Sequence, residues 1–142
     1  MEIINNTFSS ITGVVKNLQK ETPTQIPSDF RNKHSYEKRK SESDRVHVKY
    51  PDRVPVICEV AKRSSNLTLV DSKYLVPKDI TIGQFLMIIR KRMTLAPEHA
   101  IFLFMEDSSL PPIADTIGSI HKYHKNADGF LYLTVMLENT FG

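Results

Sequence analysis

The sequence has no tryptophan, one cysteine and only five glycines, and each shortage removes a class of protein. A lone Cys58 has no partner for an internal disulfide, which excludes a disulfide-stapled secreted scaffold. No glycine-rich phosphate loop, CxxC, HExxH or nucleophile-elbow serine is present, so no catalytic motif supports an enzyme. No apolar run reaches the roughly 18 residues of a membrane span, and no signal-peptide pattern occurs. A cytoplasmic protein is expected, on which the triplets Asn5-Asn6-Thr7 and Asn66-Leu67-Thr68 are chance glycosylation matches. The net charge of +3 and a pI near 9.0 allow weak attraction to phospholipid headgroups or microtubules but fall short of a nucleic-acid signature. No nucleic-acid partner is expected.

What is present is an ordinary soluble mix, 40% hydrophobic and 25% charged over 142 residues, enough for one domain with a core. Residues 1–27 differ from the rest: Ile4, Phe8, Ile11, Val15 and Leu18 recur at helical spacing before Thr22-Pro23-Thr24-Gln25-Ile26-Pro27 breaks the pattern. This reads as an N-terminal extension, either an amphipathic helix with a linker or a disordered tail. The domain proper spans 28–142. Its charged start, Ser28 to Tyr50, predicts a short and a longer helix, the second with a thin apolar stripe of Tyr36, Val46 and Tyr50.

Alternation of Val54, Val56, Cys58 and Val60 with Pro55, Ile57, Glu59 and Ala61 predicts a strand with Cys58 as a small core residue. A polar turn at Ser64, Ser65 and Asn66 leads to a second strand, Ser72 to Val76, expected at a sheet edge because Pro77 cannot donate to a ladder. Thr81 and Gln84 have capping-box spacing ahead of a helix from Ile82 to Met93. A short strand, Ala100 to Met105, and a helix carrying Ile113, Ile117, Ile120 and His124 follow. His121 and His124 lack a third ligand at metal spacing, so no metal is expected. The last strand, Phe130 to Leu137, starts at an Asp128-Gly129 turn and has one wholly aliphatic face, Leu131, Leu133, Val135 and Leu137.

The element order suggests an α+β fold with helices on one face of the sheet, and its last six elements match a β-grasp. Parallel first and last strands then lie in the middle, which explains the apolar final strand. Beyond it, six residues from Leu137 to Gly142 reach roughly 20 Å when extended. A narrow tail with no Cβ at its tip suits entry into an active site and attack at its carboxylate. A terminal glycine alone is weak support, since glycine is common.

Several motifs together carry a resemblance. Tyr36-Glu37-Lys38-Arg39, Arg53-Val54-Pro55-Val56-Ile57, Lys73-Tyr74-Leu75-Val76-Pro77, Gly83-Gln84-Phe85, Asp128-Gly129-Phe130-Leu131-Tyr132 and Glu138-Asn139-Thr140-Phe141-Gly142 resemble the ubiquitin-like autophagy modifiers. This is the autophagy-related protein 8 family, including GABARAP and the microtubule-associated protein light chain 3 type. The resemblance covers about residues 28–142. It implies a ubiquitin-like β-grasp with a four-stranded mixed sheet and two extra N-terminal helices. It further implies conjugation of Gly142 to phosphatidylethanolamine by activating and conjugating enzymes that read Phe141, and release by a processing and deconjugating cysteine protease. The modifier itself catalyses nothing, needs no cofactor beyond that covalent lipid, and is a monomer in solution. It moves from cytoplasm to the autophagosome membrane on lipidation and to the vacuole or lysosome by turnover.

The family also captures cargo receptors through aromatic-x-x-aliphatic motifs in two pockets beside the second strand. On matching positions the aromatic pocket would use Glu42, Val46, Pro55, Ile57, Lys73, Leu75 and Phe130. The aliphatic pocket would use Tyr74, Val76, Pro77, Ile80, Phe85 and Ile88, with Arg92 available for nearby acids. Burying one aromatic side chain contributes roughly 4–6 kcal/mol by area before ordering costs, so micromolar binding is expected. Phe8-Ser9-Ser10-Ile11 fits the same short pattern and is a candidate for docking in a pocket of its own or a neighbouring molecule. The alternative is an unconjugated ubiquitin-like module that uses the pockets for trafficking or cytoskeletal partners.

Overall fold

The computed structural model describes residues 2–3, 28–64, 67–93 and 95–138. In chain order the elements are β1 (Glu2–Ile3), α1 (Asp29–Lys33), α2 (Tyr36–Lys49), β2 (Arg53–Val60), β3 (Lys73–Pro77), α3 (Ile82–Lys91), β4 (Ile101–Phe104), α4 (Ile117–His124) and β5 (Leu131–Leu137). The expected helix and linker of residues 4–27, and the Phe8-Ser9-Ser10-Ile11 pattern, lie outside the described residues, as do Phe141 and Gly142.

β2 and β5 run parallel in the middle of the sheet, with Val56 opposite Leu131 and Val60 opposite Val135. β3 pairs antiparallel with β2, and β4 antiparallel with β5. This is the mixed β-grasp sheet. A fifth strand joins the four expected: Glu2 is in register with Leu75 and Ile3 with Tyr74, giving the order β1-β3-β2-β5-β4. β3, expected at the edge, therefore has a neighbour on each side.

The alternation within the strands sorts side chains between two cores. Val54, Val56 and Cys58 of β2 and Leu131, Leu133, Val135 and Leu137 of β5 pack against Ile82, Phe85 and Ile89 of α3 and Ile117 and Ile120 of α4. Burial pushes the Cys58 thiol up, in keeping with a core role. On the opposite face Ile57, Phe130 and Tyr132 pack with Phe30 of α1, whose ring meets Phe130 edge-on at 5.2 Å. Helices thus cover both faces of the sheet, not one as expected. The central strands are apolar on both sides, and a single helical layer would leave Ile57 and Tyr132 in water.

α1 has only five residues, and the side chains around it supply its ends. Ser28 accepts from the Arg31 amide, and Glu59 accepts both the Ser28 hydroxyl at 2.6 Å and the Phe30 amide at 3.0 Å. Arg31 pairs with Glu106 and lies 4.3 Å from the centre of the Tyr132 ring.

α2 docks through polar groups. Arg39 Nη1 donates to Asp128 Oδ2 at 2.6 Å, and both side chains are 0% exposed. Asp128 also accepts from the Tyr132 hydroxyl at 2.6 Å and the Phe130 amide at 2.9 Å. The Ser43 hydroxyl donates to the Asp128 carbonyl. Gly129, at φ +93°, sits where a Cβ would collide with Ser43 Oγ, so the turn needs glycine both for its conformation and for the approach of α2.

Two other boundaries differ from expectation. α3 has the predicted capping box between Thr81 and Gln84 but ends at Lys91, and Met93 instead bridges to Leu69. Ile113 is not on α4; it is 63% exposed in the preceding loop. Its carbonyl and that of Asp115 accept from the Gly83 and Ile82 amides at 3.0 and 2.9 Å, so this loop satisfies the first turn of α3. Thr116 then caps α4.

Replacing Arg39 by Met would leave Asp128 as an uncompensated buried charge. Urea unfolding of Arg39→Met is expected to show a loss of about 3–5 kcal/mol; a loss under about 1 kcal/mol would show that the pair does not hold α2 in place.

Candidate functional site

The candidate site is built around β3, because its alternation presents one set of side chains to each face of the sheet. Tyr74 and Val76 belong to the core beneath α3 and α4. The intervening residues Lys73 and Leu75 point to the face covered by α1 and α2. One five-residue strand thereby divides the expected pocket residues into two groups.

On the α3 side, Tyr74 meets Phe85 edge-on at 5.9 Å, and the Arg92 guanidinium lies 5.7 Å from the Tyr74 ring centre. Tyr74 anchors its hydroxyl on the Asp71 carbonyl at 2.7 Å. Tyr74, Val76 and Phe85 are buried, while Pro77, Ile80, Ile88 and Arg92 are half-buried. The buried three form a floor and the half-buried four a rim.

The other side is closed more completely. Glu42, Val46, Pro55, Ile57, Lys73, Leu75 and Phe130 are all buried. Ile57 and Phe130 are packed beneath Phe30, so they act here as core residues. Lys73 lines a cavity of about 260 Å³ together with Asp29, Phe30, Lys33, His34, Glu59 and Ser72. That cavity lies toward the start of β3 and was not anticipated from the sequence.

The electrostatics of this side centre on Glu42 and Lys73. Glu42 pairs with Arg45 through one carboxylate oxygen, and its other oxygen is buried without a hydrogen-bond partner among the described residues. Burial lowers the Lys73 pKa to about 8, while the Glu42 charge works in the opposite direction.

The tail leaves from a fixed point. The Leu137 amide donates to the buried Ser64 hydroxyl at 3.0 Å, and the Glu138 amide donates to the Ala100 carbonyl at 2.9 Å. Glu138 is exposed. Among the described residues no helix is long and apolar enough to cross a membrane.

A family model described as "Autophagy protein Atg8 ubiquitin like" matches residues 38–142. The chain belongs to the autophagy-related protein 8 family. It is 55% identical over 115 residues to autophagy-related protein 8 of Mycosarcoma maydis, covering 81% of this chain and 97% of that one. The namesake of Emericella nidulans is 53% identical over the same coverage. The crystal structure of Trypanosoma brucei ATG8 superposes with a TM-score of 0.70 at 34% identity, covering 79% of this chain and 96% of the other. The matched residues 38–142 take in most of α2 and every later element of the sheet and its helices.

Sequence reasoning missed Arg39, Asp128, Phe30 and Ser64 as organising residues. The signal for Arg39 was available: Tyr36, Arg39, Ser43, Val46 and Tyr50 share one helical stripe, so a charged and a small polar residue occupy core-facing positions. No local pattern marked Phe30 or Ser64, whose roles depend on elements far away in the chain.

A Lys73 midpoint near pH 8 is expected by NMR titration of its side chain, against 10.5 for an ordinary lysine. The lowered value means that the folded protein releases this proton before the unfolded chain does. Lys73 therefore makes stability rise with pH between about 8 and 10.5, and Lys73→Met should remove that rise from urea melts across the window. A midpoint at the ordinary value would mean that Lys73 is solvated.

Proposed function

We propose that this chain is a ubiquitin-like modifier joined through Gly142 to phosphatidylethanolamine on autophagosomal membranes, where β3 and its two flanking groups recruit cargo receptors and autophagy factors. The observation that carries the reading is the two-faced β3. Side chains spaced along a docked peptide can reach the α3 rim on one side and the Lys73 and Leu75 side on the other. Arg92 and Lys73 supply positive charge for acids flanking such a motif. Phe141 and Gly142 follow in sequence a strand whose end is tied down at Leu137 and at the exposed Glu138.

In the conjugation chemistry the Gly142 carboxylate attacks ATP at the α-phosphorus, forming an acyl adenylate and releasing pyrophosphate. An enzyme thiolate displaces AMP to give a thioester, which passes to a second enzyme's cysteine. The lipid amine then attacks the thioester carbonyl, expels the thiolate and leaves an amide. Glycine suits every step because no Cβ shields its carboxyl carbon. The chain supplies the acyl group and the enzymes supply the catalytic residues. A cysteine protease that hydrolyses the final amide would return it to the cytoplasm.

The test is lipidation by family activating and conjugating enzymes with ATP on phosphatidylethanolamine liposomes. A membrane-bound product is expected from this chain and none from Gly142→Ala. No product, with enzymes active on another family member, would favour an unconjugated binding module.

Peptide capture is tested separately by calorimetry with an acid-flanked peptide carrying a Trp-x-x-Leu motif. Dissociation constants in the micromolar range are expected, weakened at least about tenfold, or 1.4 kcal/mol, by Ile88→Asp on the half-buried rim. Equal affinity in this variant, with an unchanged unfolding midpoint, would remove the α3 rim from the binding site.

A further inference from the structure

We infer that Glu2–Ile3 is a built-in competitor for β3, an intramolecular strand that an incoming peptide must displace. The inference rests on the peptide-binding reading of β3. Its observation is the pairing of β1 with β3 at Leu75 and Tyr74, inside the stretch that a peptide would use.

The backbone geometry makes the competition direct. The Cys58 amide donates to the Ser72 carbonyl at 2.8 Å. With Val56 opposite Tyr74 and Ile57 opposite Lys73, the antiparallel alternation makes Val56 and Tyr74 a hydrogen-bonded pair and turns the backbone groups of Lys73 and Leu75 away from β2. A strand added to this side of β3 must bond to those outward groups. Glu2 is the residue in register with Leu75, so β1 and a peptide strand cannot both hold that position. Leu75, the residue opposite Glu2, is only 3% exposed.

Covalent attachment makes so short a strand an effective rival. Residues 4–27 join Ile3 to Ser28 in one chain, so its pairing with β3 is intramolecular and does not weaken on dilution as a separate peptide's does. Any partner that engages the first residues of the chain would therefore release β3, coupling that event to peptide affinity.

The test compares the full chain with full-length Glu2→Pro, which has no amide proton at position 2 to give to β3. Two readouts are taken: hydrogen exchange at the Leu75 amide without peptide, and calorimetric affinity for the acid-flanked Trp-x-x-Leu peptide. The expected result is faster Leu75 exchange and about three- to tenfold tighter peptide binding in the variant. Unchanged Leu75 exchange would overturn the occupancy. Faster exchange with equal peptide affinity would overturn the competition while leaving the peptide site intact. Peptide binding by neither chain would remove the peptide site itself and the competition with it. A second variant lacking residues 2–3 must reproduce the Glu2→Pro result, and a discrepancy would overturn the assignment to these two residues.

Discussion

Two opposite charges removed from water set the arrangement of the remaining elements. Arg39 and Asp128 meet at 2.6 Å with no exposure, and neither is tolerable there alone. Their meeting fixes α2 against the turn that begins β5, although they are 89 positions apart in the chain. Asp128 in turn holds the Phe130 amide and the Tyr132 hydroxyl, so the same carboxylate sets the start of the central strand. Gly129 lets the turn pass under Ser43. The position of Glu42 and Val46 beside the sheet follows from this anchor, because they are one turn or two further along a rigid helix.

The architecture was largely legible because each strand and helix of the core carries its own period. Alternation placed β2 and β5, and the capping box placed the start of α3 within a residue. What was not legible depended on distant partners. The Ile113 loop looked like part of α4 because an isoleucine fell at helical spacing, yet its carbonyl was needed to complete α3. The helical layer over Ile57 and Tyr132 was missed because α2 docks with Arg39 and Ser43, residues that an apolar-stripe reading discounts. β1 was hidden for a related reason. Two residues have no period, and only the register with Leu75 and Tyr74 makes them a strand.

The residues that the resemblance implies for the two pockets are divided by strand geometry. Residues alternating along β3 face opposite layers, so two groups of side chains diverge from one backbone. The groups differ in their starting state. The α3 side retains a half-buried rim at Pro77, Ile80, Ile88 and Arg92, whereas every expected residue on the α2 side is buried. The α2 side is thus closed over Lys73 and Leu75, while the α3 side leaves part of its apolar surface accessible.

The fastening of Leu137 to Ser64 and of Glu138 to Ala100 has a mechanical consequence. β5 is thereby secured on both of its sides at its C-terminal end, by Ser64 on one and by Ala100 on the other. A pull applied beyond Glu138 can therefore be relieved only by stripping β5 from the middle of the sheet. Tension on the tail would load the parallel pairing with β2 along its length, the geometry in which several hydrogen bonds must yield together. A central strand fastened in this way meets such a load with the strength of the fold itself.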